Sequence, residues 1–130
     1  MSLNDPLSDV LSHILNCEKK NKKECIVGHD SKFIRSILYL LKEEGYIGSF
    51  DVHSSARGGS LKISLLGHIN ACSVIKPRFS FTKTNHEKFE KRYLPAKDFG
   101  FLVISTSQGI MTHNQSLAKG TGGKLIAYCY

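Results

Sequence analysis

Two short stretches hold the residues of this chain best suited to chemistry. Ser105-Thr106-Ser107-Gln108-Gly109-Ile110-Met111-Thr112 places three small hydroxyls directly after the apolar run Phe101-Leu102-Val103-Ile104. Gly120-Thr121-Gly122-Gly123-Lys124-Leu125 follows, a glycine-rich turn that ends in a cation and leads into a last strand. Hydroxyls donate hydrogen bonds, glycines let a second backbone come close, and a lysine neutralises charge. That combination suits a phosphate–sugar backbone. Neither stretch supplies a strong base, a metal cage or an acid for a leaving group. Ser105, Thr106, Ser107, Gly122, Gly123 and Lys124 therefore read as a binding surface.

Competing chemistries fail on particular residues. A phosphate-binding P-loop ending at Lys124 would need glycine at Ala118 and Ser or Thr at Leu125. Ser105 or Ser107 with His113 would make a nucleophile and base, but no G-x-S-x-G elbow surrounds either serine. The one nearby acid, Asp98, has no orienting role. Cys17, Cys25, Cys72 and Cys129 are scattered without a C-x-x-C pair, so neither a metal nor another cofactor is expected. Met1 to Pro6 lacks the basic and apolar regions of a secretory signal, and no apolar run approaches the roughly 20 residues of a spanning helix. The expectation is a non-catalytic intracellular protein with reduced, mostly buried thiols.

The global numbers point to a polyanionic partner. The chain has 130 residues and 18 Lys and Arg against 11 Asp and Glu, a formal charge of +7. Its 41% hydrophobic and 22% charged residues are those of a globular protein. Lys19, Lys20, Lys22 and Lys23 read as a solvated connector or, with Ser31-Lys32 opening the next helix, as a track for phosphates. Lys76, Arg78, Lys88, Lys91, Arg92 and Lys97 interleave with Phe79, Phe81, Phe89 and Tyr93, aromatics that read as core packing before base-stacking platforms. Arg57-Gly58-Gly59, a single copy, reads as a hairpin tip.

The elements that must position these residues follow from period and punctuation. Asn4 or Asp5 with Pro6 starts a helix whose stripe is Leu7, Val10, Leu11, Ile14 and Leu15. Cys25-Ile26-Val27 is a short strand. Asp30 or Ser31 opens a second helix through Ile34, Ile37, Leu38 and Leu41, stopped by Gly45. Residues 46–52 and 61–66 then pair as strands around a turn at 56–59. The second half reads as strands over 71–75, 79–83, 101–105 and 123–129. A helical turn falls within 84–92, and a short helix over His113 to Lys119 has Thr112 or His113 near its cap. The expected fold is α+β in two small lobes: α-β-α-β-β over 1–66, and mainly antiparallel β with a short helix over 67–130.

The chain resembles the universal small-subunit ribosomal protein eight family along nearly its whole length. The likeness runs through Asp5-Pro6-Leu7, Asn16, Ser31-Lys32 and Glu44-Gly45-Tyr46-Ile47. It is most specific at Ser105 to Thr112 and at Gly122-Gly123-Lys124. Lys76-Pro77-Arg78-Phe79, Tyr93 to Phe101 and Tyr128-Cys129-Tyr130 look like its archaeal and eukaryotic branch. The resemblance implies binding to the central domain of small-subunit rRNA, where the serine–threonine–serine segment meets an irregular internal loop of a stem. It implies help from the glycine turn and from the N-terminal lobe, hence Asp5, Pro6, Ser31 and Lys32. Neighbouring small-subunit ribosomal proteins are implied partners, no membrane is involved, and the free chain is expected to be a monomer in the cytoplasm. A translational regulator that binds a messenger RNA mimic of the same stem is the runner-up.

Overall fold

The computed structural model describes residues 6–28, 31–55, 58–96 and 99–130, the side chains of 54, 55 and 58 aside. Asn4, Asp5, Asp30, Ala56, Arg57, Lys97 and Asp98, named above, lie outside the described residues. The chain divides into two compact units, one through Asn70 and one from Ala71.

The first unit is α1 (Pro6–Lys19), β1 (Glu24–Val27), α2 (Lys32–Glu43), β2 (Ile47–Ser55) and β3 (Gly58–Leu65). Helix α1 buries Leu7, Val10, Leu11 and Ile14, but its stripe continues to Cys17 and Glu18 while Leu15 is only half-buried. Glu18 is tolerated inside because its carboxylate accepts the Gly67 N–H at 3.3 Å. Asn21, at φ 57, ends the helix with a left-handed residue.

Ser31 caps α2, its hydroxyl accepting the Ile34 N–H at 3.2 Å. The helix then buries Ile34, Ile37, Leu38, Leu40 and Leu41, each worth about 1.5–3 kcal/mol when fully buried. Gly45, at φ 80, closes it: its N–H reaches the Lys42 carbonyl and that of Tyr46 the Leu41 carbonyl. The strands form an antiparallel sheet in the order β1-β3-β2, with α1 against β1 and α2 against β2. Cys25, Val27, Ile47, Leu61, Ile63 and Leu65 supply its buried residues.

The second unit holds β4 (Cys72–Val74), β5 (Ser80–Phe81), α3 (His86–Tyr93), β6 (Phe101–Thr106), β7 (Gly109–Thr112), α4 (His113–Lys119) and β8 (Gly123–Cys129). Its sheet runs β4-β8-β6-β7, with β5 pairing the same strand β8 as β4 does. Register between β6 and β8 shifts by one residue between Val103 and Ile104, leaving Ile126 without a partner on β6 while its carbonyl accepts the Ile75 N–H at 2.9 Å. Ile75, Phe81, Phe89, Leu94, Leu102, Ile104 and Leu125 form the core, with Phe79 and Tyr93 packed on it. The aromatics interleaved with basic residues are thus core and near-core. Where a helical turn is expected within 84–92, His86–Tyr93 form the two-turn helix α3. No helix among the described residues is long and apolar enough to cross a membrane.

Candidate nucleic-acid interface

The segment after Phe101-Leu102-Val103-Ile104 is the tip of a hairpin. Thr106 pairs with Gly109, and Ser107-Gln108 make a two-residue turn. The Thr106 hydroxyl donates to the Gly109 carbonyl at 2.9 Å and accepts the Gln108 N–H at 3.1 Å. That hydroxyl ties the turn to the strand end, while Ser107 stands exposed at its crest. Gly109, at φ 118, holds a backbone that side-chain-bearing residues rarely adopt.

Three strands bring a row of polar side chains together, and a fourth flanks it. Ser80 of β5 faces Lys124 of β8, Lys124 faces Ser105 of β6, and Ser105 faces Ile110 of β7. Directly opposed residues share a face of the sheet, so Ser80, Lys124 and Ser105 form one band. Lys124 Nζ donates to the Ser80 hydroxyl at 3.0 Å. No carboxylate is paired with it among the described residues, which leaves its charge available to an anion. No motif marks Ser80 in the sequence, yet its place between inward Phe79 and Phe81 is the alternation that sends a strand residue outward.

Gly122 and Gly123 have a role inside the protein. A Cβ at Gly123 would lie 2.1 Å from the Ser105 carbonyl oxygen, and one at Gly122 would lie 2.7 Å from that of Phe81. The bare backbone lets β5 and β6 close on β8, which sets the spacing of the Ser80–Lys124–Ser105 row. The preceding turn is equally fixed. Thr112 caps α4, its hydroxyl accepting the Gln115 N–H while the Gln115 side chain accepts the Thr112 N–H. The Ser116 hydroxyl donates to the Thr121 carbonyl, and Gly120 supplies the left-handed residue at φ 68. The Lys83 ammonium lies beside Gly120, 3.0 Å from where a Cβ would stand, adding a second cation at this end of the sheet.

The remaining expected residues lie in the first unit. Ser31 and Lys32 are exposed at the start of α2, and Pro6 is exposed at the start of α1; Asp5 is outside the described residues. Lys19 at the end of α1 and Lys20, Lys22 and Lys23 before β1 are all exposed. In the second unit the Arg92 guanidinium lies 5.4 Å from the Phe79 ring and 5.3 Å from that of Tyr93, so its position is set by aromatic faces.

His113 does not meet the serines as a base would. It is buried, with Nδ1 accepting the Leu102 N–H at 3.0 Å and Nε2 3.2 Å from Glu90. Glu90 also reaches His86 at 3.3 Å, in the wall of a cavity of about 530 Å³. Both ring nitrogens of His113 are occupied by the fold. What the site can do is present hydroxyls, a turn crest and unpaired ammonium groups to a polar, anionic chain. Residues 5–130 match the family model described as ribosomal protein S8.

Proposed function

The chain belongs to the ribosomal protein S8 family, which makes it an rRNA-binding protein of the small ribosomal subunit, and from that premise we propose which RNA it holds and how. Its target is an irregular stem in the central domain of small-subunit rRNA, and its binding supports subunit assembly and translation in the cytoplasm. The C-terminal unit makes the main contact. Lys76 to Phe79, Tyr93 to Phe101 and Tyr128-Cys129-Tyr130 support a place in the archaeal and eukaryotic-like branch of the family. Before assembly it is a monomer.

The single observation that supports this reading most is the Ser80–Lys124–Ser105 row beside the Ser107 crest. Ser105 and Ser107 hydrogen-bond sugar and base edges, which irregular stems splay within reach of short polar side chains. Thr106 offers its remaining lone pair and holds the turn. Lys124 and Lys32 neutralise phosphate, Gly122 and Gly123 bring backbone close, and Ser31, Asp5 and Pro6 contribute from the N-terminal unit.

Titration of an rRNA stem containing its internal loop, against a fully paired stem of equal length, tests the assignment. Affinity for both should fall with salt, with a slope of about −0.7 to −0.9 per phosphate contacted. Preference for the irregular stem should survive, because it rests on shape and polar contacts. Equal affinity at moderate salt overturns specific recognition. Crosslinking in cells distinguishes the targets: central-domain rRNA is expected, and recovery of messenger RNA alone would point to regulation instead.

A further inference from the structure

We propose that His13, Cys17 and Cys25 form a site for one thiophilic divalent cation of the zinc class, joining α1 to β1. His13 and Cys17 are one turn apart on α1 and so share a face of the helix. Cys25 comes from β1, the strand against which α1 packs. The three ligand atoms lie within 4.8 Å of one another, with His13 Nε2 3.9 Å from Cys17 Sγ. Tetrahedral zinc bonds of about 2.3 Å to sulfur and about 2.0–2.1 Å to nitrogen put neighbouring ligand atoms about 3.6–3.8 Å apart. The fold has already brought the donors close to that spacing. No other trio of this kind occurs among the described residues.

The chemistry of the set agrees. Two thiolates and a neutral imidazole balance a divalent charge and match the ligand types of structural zinc. Each thiol loses its proton to solvent as its metal–sulfur bond forms. Cys17 and Cys25 are buried, whereas His13 is exposed and opens on a groove of about 250 Å³ shared with Asp9, Ile26 and Gly28. A water entering by that groove fills the fourth position. Cys17 and Cys25 also bracket Lys19, Lys20, Lys22 and Lys23, so the cation would close the basic connector into a short, tethered loop.

The absence of C-x-x-C spacing hid this arrangement in the sequence. His13 and Cys17 are four residues apart on a helix, and the third ligand arrives from a strand beyond the turn.

Cobalt(II) titration of the full, reduced protein tests the site. One equivalent should give the visible absorption of tetrahedral cobalt with a thiolate charge-transfer band, and zinc(II) should displace it. His13→Ala, a change at an exposed residue, should weaken binding about tenfold or more while circular dichroism stays native. Cys25→Ser should remove most of the thiolate band, and Cys72→Ser in the other unit should leave it intact. A missing thiolate band overturns the proposal. So does one that persists in both His13→Ala and Cys25→Ser, or one lost in Cys72→Ser.

Discussion

The backbone amide of Leu102 donates to Nδ1 of His113 across 3.0 Å, between a central strand and the helix that follows the hairpin. Because Nδ1 accepts, the proton of the neutral ring sits on Nε2 and points at Glu90, 3.2 Å away. Leu102 and His113 are both buried, so neither partner has water as a substitute.

Replacing His113 with Leu should therefore cost about 1–3 kcal/mol, the penalty of a buried N–H left without an acceptor. Glu90→Gln should cost less, since its side chain is partly solvated. Urea unfolding of the two variants checks the order. Equal midpoints for wild type and His113→Leu would contradict the anchoring role.

Ser105→Ala and Ser107→Ala should each weaken binding to the irregular stem by about 0.5–1.5 kcal/mol without moving the melting temperature. Thr106→Ala should behave differently, because its hydroxyl closes the turn. It should lower both affinity and stability, and Thr106→Ser should restore both. Parallel melting and RNA titration separate contact from scaffold.

Lys124→Gln should weaken irregular and paired stems about equally and reduce the salt slope by roughly one phosphate's worth. The Ser80 hydroxyl positions the ammonium but offers no charge to offset it. Salt plots of wild type and variant that run parallel would rule out a phosphate contact.

Gly123→Ala should destabilise the second unit, because its Cβ meets the Ser105 carbonyl oxygen rather than a movable side chain. Overpacking of that kind costs roughly 1–3 kcal/mol or more. Gly28→Ala, where nothing lies within 4 Å, is the tolerated control. Thermal unfolding should show a clear drop for the first and none of comparable size for the second.

Burial, followed by Tyr130, Cys72 and Tyr93, holds the Tyr128 phenol above its ordinary 10.0. The unfolded chain thus releases this proton at a lower pH than the folded one. Its contribution is intact below about pH 10 and declines as pH rises beyond it. Tyr128→Phe should flatten that alkaline decline in a denaturation series across pH.

Much of this was legible in the residues themselves. Ile34, Ile37, Leu38 and Leu41 declare α2 by period, Ser31 is one of two candidate caps for its start and Gly45 marks its end, and Thr112 or His113 stands near the cap of α4. What the residues conceal depends on distant partners. Gly109-Ile110-Met111-Thr112 does not declare itself a strand, because Gly109 favours a turn and Thr112 reads as a helix cap, yet pairing with β6 makes it one. The inner role of Gly123 depends on a carbonyl eighteen residues away at Ser105. Ser80 joins Lys124 only through a sheet pairing that spans 44 residues. Local propensity cannot supply such contacts.

Ile126, which β6 skips, carries a consequence for how one strand serves two surroundings. Strict alternation would put Lys124 on the same side as Tyr128, which packs on the core, and would turn Leu125 outward. The extra residue resets the phase midway along β8: Tyr128 and Leu125 both reach the apolar interior, while Lys124 emerges beside Ser105. Removing that one residue would swap cation and leucine, sending charge inward and grease to the surface. The strand is thus two half-strands of opposite parity, spliced at Ile126.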